Sequence, residues 1–335
     1  MEASRLPARR RLSLRRLPTI SPALYTKVAV ISLASLVLIV WTGAAVRLTG
    51  SGLGCPDWPK CYGRVVAPLE THAVIEFTNR MLSGFVGLAV IAAGALAWLR
   101  RPFRGHLALF GALLPIGVVG QAVLGGLVVR YHLAPGLVMS HFILSMILLD
   151  AAFALAWCSR YEPGERARST DRVGVWSVRA LVPIGQVTIL LGTIATASGP
   201  HAGAHSGQLV KRFHFEGTGT LAWMVNRHGL LAAIFGIAAI GVWLLLRRPG
   251  GERRAVRPLT AMLVLLALQG ALGIVQYQLK LPAELVWVHI ALATLTWLCT
   301  LWAVARAGRL APRGAAQPAG DPAPSAAAEP AAVGA

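Results

Sequence analysis

Long apolar runs alternate with short polar connectors along this chain, and the runs set the scale for everything else. Eight of them, at roughly 25–47, 74–99, 106–129, 136–158, 177–197, 220–246, 258–278 and 284–306, each supply the ~20 residues needed to cross a hydrocarbon core. Their apolar positions do not alternate with the period of two that a membrane β-barrel strand requires. Lipid tolerates only backbones whose hydrogen bonds are closed internally. The pattern therefore predicts an all-α membrane protein with eight transmembrane helices.

Composition agrees, with 56% hydrophobic and 13% charged residues. The net charge of +19 would suit nucleic acid, but its distribution points to a membrane. Arg5, Arg9, Arg10, Arg11, Arg15, Arg16 and Lys27 lie before or at the start of the first run. Arg100, Arg101 and Arg104 follow the second, Arg160 to Arg179 the fourth, Arg247 to Arg257 the sixth, and Arg306 to Arg313 the eighth. Positive charge on alternate connectors places both termini in the cytoplasm of a cell crossed at its plasma membrane. Segments 48–73, 130–135, 198–219 and 279–283 then lie outside. No small-residue cleavage site follows the basic arm 1–24, so the first run reads as a retained helix. The Ala/Pro-rich stretch 307–335 reads as a disordered tail.

The runs repeat. QAVLGGLVVRYHLAPGLVMSHFIL from Gln121 and QGALGIVQYQLKLPAELVWVHIAL from Gln269 share Gln-x-x-Leu-Gly, a Pro near the turn and a His. The separation from Gln to His is the same, 20 residues, in both. Asn79-Arg80 and Asn226-Arg227 correspond more loosely. Two pseudo-symmetric four-helix bundles, 25–158 and 177–306, related by an axis along the membrane normal, account for this.

Ionisable side chains inside a spanning helix cost ~2.5–3.5 kcal/mol each on insertion scales, and so face a bundle interior and a partner. His141, His228 and His289 all lie near the outer ends of their helices. A lone histidine of this kind is usually a core residue bonded to a carbonyl. His228 and His289, however, come from two helices of the same half at comparable depth. Two facing imidazoles are what axial ligation of a heme iron requires. A zinc site would want further Cys, His or carboxylate ligands, which the helices of that half do not offer.

With these residues in view, the chain resembles the heme A synthase family, membrane enzymes that convert heme O into heme A. The resemblance covers roughly residues 25–306. It rests on Gly54-Cys-Pro-Asp-Trp-Pro-Lys-Cys61, Ile75-Glu-Phe-x-Asn-Arg80, Gln121-x-x-Leu-Gly-Gly126, Ser198-Gly-Pro-His-Ala-Gly203 and the three histidines. It implies a heme b cofactor in the C-terminal half on His228 and His289, and substrate heme O in the N-terminal half on His141. Glu76 matches a catalytic carboxylate, with Asn79, Arg80 and Gln121 lining the substrate pocket. The implied reaction oxidises a ring methyl to an alcohol and then, through a hydrated form, to an aldehyde. The implied partners are the farnesyltransferase that makes heme O, an electron donor the sequence does not reveal, and the terminal oxidase that consumes heme A.

Two departures bear on the site. The family pattern on the second helix is Glu-x-x-His-Arg, whereas this chain has Asn79, and an amide is a poor iron ligand. The expectation is a substrate iron held by His141, with Asn79 bonding a ligand or water beside it. In the repeat alignment Asn226, not His228, stands opposite Asn79. A two-residue offset turns a side chain by ~200° on a helix, and His228 is chosen as the one imidazole of its helix.

Other polar residues have plainer readings. Glu76 can pair with Arg80 one turn on, and His72 can steer Glu76 or simply lie in a loop. Cys55 and Cys61 close a short loop that is either a structural disulfide, contributing roughly 2–3 kcal/mol in the chain-entropy model, or a thiol pair that cycles with a redox partner. His201, His205 and His214 share one connector and are a possible metal set, with His201 alternatively at a heme edge. Two rival functions remain at this stage. A di-heme b-type electron carrier would use the same histidines without needing Glu76. A transporter would explain the repeat and the intramembrane charges.

Overall fold

The computed structural model describes residues 18–166, 168–205, 207–215 and 219–312. The basic residues Arg5 to Arg16 and most of the 307–335 segment lie outside the described residues. Helix starts are set by local chemistry. Ser21 caps α1 (Pro22–Leu48), its side chain accepting the Leu24 N–H, with Pro at the first position, where a missing N–H costs nothing. α2 (Thr71–Leu99), α3 (Gly105–Arg130) and α4 (Pro135–Ser159) follow. α5 (Arg172–Ser198) starts five residues before the apolar pattern does, because the Asp171 carboxylate accepts the Gly174 N–H at 2.9 Å. α6 (Thr220–Leu246), α7 (Val256–Gln278) and α8 (Ala283–Ala307) complete the set. All eight helices are long and apolar enough to cross a membrane, and the chain is a multi-pass membrane protein.

Helix α1 packs on α2 and α4, and α3 packs on the same two. In the same way α5 packs on α6 and α8, and α7 packs between those two. One core joins Tyr25, Leu36, Val90, Leu107, Leu114 and Leu149; another joins Val178, Leu181, Phe235, Leu259 and Met262. Helices α2 and α3 meet backbone to backbone, since a Cβ on Gly94 would lie 2.7 Å from the Gly111 carbonyl oxygen. Close approach through small residues is how helices gain contact in lipid, where apolar burial offers little. The two groups of helices touch through α1 with α8 and through α4 with α5 and α8. Two of the side-chain bonds that cross that seam run from helix to helix. Trp297 donates its indole N–H to Asp150 Oδ1 at 2.6 Å, and Trp287 donates to the Trp41 carbonyl at 2.9 Å.

Helix ends fall on two faces. One carries segments 49–70, 131–134 and 279–282 and the described residues of 199–219, and is called the disulfide face below. The opposite, arginine-rich face is held by ion pairs in which one partner is buried and the other part-exposed. Arg100 is fully buried, paired with Glu162, and also donates to the Pro102 carbonyl. Asp171 accepts from Arg248 at 2.8 Å and from the Glu252 N–H at 3.1 Å. Glu252 in turn accepts Arg254 Nε at 2.6 Å and Nη2 at 2.7 Å. Burial pushes the Glu252 carboxyl up, but the Arg254 guanidinium and the Ser169 hydroxyl outweigh it and hold the group below its ordinary 4.5. A depressed acid stabilises the fold above its unfolded value and loses that contribution as pH falls through its folded value. Thermal unfolding of the detergent-solubilised protein is therefore expected to shift downward as pH drops below 4.5. Glu252→Gln should remove part of that acid limb; an unchanged pH profile in the variant contradicts the assignment.

Candidate functional site

His228 and His289 meet inside the second group of helices, their ring centres 6.3 Å apart and their planes at 69°. His228 sits in α6, where its Nδ1 donates to the Thr188 carbonyl at 2.9 Å. That bond fixes the tautomer and leaves Nε2 with a free lone pair, the usual orientation of a metal-ligating imidazole. His289, two turns into α8, lies 3.5 Å from the Gln269 amide, and its buried Nδ1 has no partner among the described residues. Thr296 donates to the other end of Gln269 at 3.2 Å and so orients it. Two imidazoles either side of one metal, each bonded at about 2 Å, would have ring centres about 6 Å apart. The observed separation and the orphaned His289 nitrogen fit an axially ligated iron between them.

Glycines make room for these rings. A Cβ on Gly192 would lie 2.8 Å from His228 Cε1, whereas one on Gly273 would lie 3.4 Å from His289 Cε1. If the pair ligates a heme, Gly192→Ala, which turns the His228 ring, should lower the heme content of purified protein severalfold, while Gly273→Ala should have little effect. Absorbance of the bound pigment per protein checks this, and equal content in both variants contradicts it.

In the first group, His141 occupies the same place in the repeat. Gln121 donates to the His141 carbonyl at 3.0 Å and to Ser145 Oγ at 2.8 Å, tying α3 to α4. Gly125, the counterpart of Gly273, stands 3.6 Å from His141 Cε1 by the same Cβ measure. Three buried polar atoms have no partner among the described residues: His141 Nδ1, Gln121 Oε1 and Asn79 Oδ1. Buried polar groups are rarely left so, and three of them among the residues expected to line one pocket fit a ligand with polar and metal-binding character.

Above this half lies the loop closed by the Cys55–Cys61 disulfide. Glu76 anchors it from α2. Its Oε2 accepts the Cys55 N–H at 2.7 Å, and its Oε1 accepts Arg80 Nη2 at 2.5 Å. Arg80 reaches on to the carbonyls of Asp57 and Lys60 at 3.0 and 2.9 Å. Glu76, Arg80, Cys55 and Cys61 are thus one unit, a pairing of helix and loop that the spacing alone did not indicate. Trp58, at the loop's tip, rests on α3, where a Cβ on Gly126 would come within 3.1 Å of its ring. Gly54 carries the tightest approach, its Cβ position only 2.1 Å from the His72 carbonyl oxygen, so no larger residue fits there.

His201, His205 and His214 are not brought together as a metal set. His201 donates to the Leu281 carbonyl at 2.7 Å. His205 stacks on His72 with ring centres 4.8 Å apart, and His72 shares a hydrogen bond of 2.9 Å with Ser51. His214 lies 3.3 Å from Thr220 Oγ1. Sequence reasoning missed Asp150 and Arg47, two ionisable residues within apolar runs. Their cost in lipid was the signal that would have found them.

Fold and site together define a class: polytopic all-α membrane proteins that pair histidines between helices in the membrane interior. The chain belongs to the COX15-CtaA family of cytochrome oxidase assembly proteins, which it matches over residues 26–301. It is 30% identical over 281 residues to a protein named protoheme IX farnesyltransferase from Thermus thermophilus, covering 78% of this chain and 45% of that one. It is also 30% identical over 184 residues to a heme A synthase from Shewanella oneidensis, with 49% and 53% covered. A heme A synthase from Bacillus pumilus is 33% identical over 131 residues, with 38% and 42% covered. The chain spans about half the length of these curated relatives.

Proposed function

We propose that this protein is a heme A synthase of the plasma membrane with both termini in the cytoplasm, and that its two four-helix halves divide the work. The observation that carries the reading is the His228–His289 pair at 6.3 Å, in a chain of the COX15-CtaA family. His228 and His289 hold a heme b, which supplies electron transfer when bound. Thr188 and Gln269 set the orientation of the two rings. In the other half His141 holds the iron of substrate heme O, with Gln121 fixing α4 beside it and Asn79 offering its amide to a polar group on the substrate.

Glu76 stands at the edge of that pocket. Arg80 and the Cys55 N–H take up part of its acceptor capacity, and a remaining lone pair can take a hydroxyl proton from the alcohol or hydrate formed on the ring methyl. Trp58 and the disulfide loop cover the mouth and limit water entry. The product chemistry is a ring methyl converted to an alcohol and then, through a hydrate, to an aldehyde. Each hydroxylation takes one oxygen atom from dioxygen, with two electrons from the donor and two protons carrying the other atom off as water, and the hydrate then loses water. The farnesyltransferase that forms heme O is the natural supplier. A relative bearing that name carries a region like this chain over 45% of its length, which supports the link.

Expression beside a heme O source, followed by mass analysis of the extracted hemes, tests the reading. Heme A should appear only when the protein is present. Bound heme without heme A would favour the electron carrier, and no bound heme at all would favour a transporter.

A further inference from the structure

Arg47 lies in the last turn of α1, one residue from its disulfide-face end. Its Nη1 donates to the His201 carbonyl at 2.9 Å, while its Nη2 is buried without any partner among the described residues. The side chain lies against the other half, since a Cβ on Gly203 would come within 3.3 Å of Arg47 Cγ. Arg212, from the α5–α6 connector, is close enough that the two positive charges repel; its Nη2 donates only to the Thr196 carbonyl, at 3.3 Å. Neither guanidinium forms an ion pair among the described residues. Two neighbouring cations, one buried and one half-buried, with an unused N–H are costly unless an anion joins them.

The location says which anion. His201, whose carbonyl binds Arg47, also bonds the Leu281 carbonyl just ahead of α8, the helix that carries His289. His228 lies eight residues into α6 and His289 six into α8, about 12 Å and about 9 Å from the disulfide face at 1.5 Å per residue. A tetrapyrrole held there turns its polar, carboxylate-bearing edge to that nearer face. We propose that Arg47 and Arg212 form a carboxylate site whose ligand is a propionate of the heme held by His228 and His289. One guanidinium comes from each half, so this heme would also fasten the halves together. The inference rests on the heme reading of the second half.

The test uses the full-length protein, purified from heme-starved cells and titrated with heme b or with its dimethyl ester, following the low-spin spectrum of a bis-imidazole iron. In wild-type protein the diacid should bind more tightly than the ester. Arg47→Gln and Arg212→Gln should each weaken diacid binding about tenfold, the scale of one charge-assisted hydrogen bond, and leave ester binding unchanged. Arg47→Lys should lie between. Unchanged ester affinity also shows that the variants are folded. Equal weakening of diacid and ester, or of neither, overturns the inference alone. A selective loss in binding of heme O to the other half, with the low-spin titration untouched, overturns it by assigning the arginines to the substrate. Failure of wild-type protein to bind either compound overturns the heme reading itself and this inference with it.

Discussion

On the proposed reading, His289→Ala is expected to strip heme b from the protein. The imidazole is one of two that face each other at 6.3 Å, and no other described side chain is placed to replace it. The low-spin spectrum should disappear and the heme-to-protein ratio should fall at least tenfold. His228→Ala should do the same. A graded control is Gln269→Leu. It removes the amide next to His289 but keeps the ligand, and outer-shell changes of this kind cost about 10–100-fold in metal affinity. A purified His289→Ala protein that keeps its low-spin heme would show that the pair is only a packed core contact.

The second large effect is expected at Arg80. Its side chain is 16% exposed and Glu76's is 8%, and removing one partner of a buried ion pair costs roughly 3–5 kcal/mol because the other charge is stranded. Arg80→Ala leaves the Glu76 carboxylate with backbone N–H groups alone, chiefly that of Cys55, and also frees the Asp57 and Lys60 carbonyls. The disulfide loop should detach, and protease digestion should cut it faster. Glu76→Gln is the more informative partner. It keeps an acceptor for the Cys55 N–H and leaves Arg80 its three carbonyls, so the loop should stay docked. Heme A formation should nonetheless be lost, because the amide cannot take a proton. A Glu76→Gln protein that makes heme A at the wild-type rate would reduce Glu76 to a loop anchor.

The eight helices were legible because membrane crossing needs length and apolarity, which are local properties of sequence. Their ends agreed to within a few residues, except at α5, where the Asp171 cap extends the helix beyond its apolar stretch. The Gln-x-x-Leu-Gly repeat also carried real spatial content, since its glycine meets the repeat's histidine in both halves. The partners of polar residues were not legible. Asp150 bonds Trp297 across 147 residues, and Arg47 meets His201 across 154; no periodicity links such positions. The repeat alignment placed Asn226 opposite Asn79, but it is His228 that faces His289. Helix rotation inside a bundle is decided by packing against neighbours, which a local alignment does not contain.

Division of labour between the halves is the central claim, and one variant isolates it. His141→Ala, expressed beside a heme O source, purified and analysed for extracted hemes by mass, should retain one heme b per chain with its low-spin spectrum and contain no heme A. Heme A at wild-type levels, or loss of heme b together with heme A, would contradict separate resident and substrate sites.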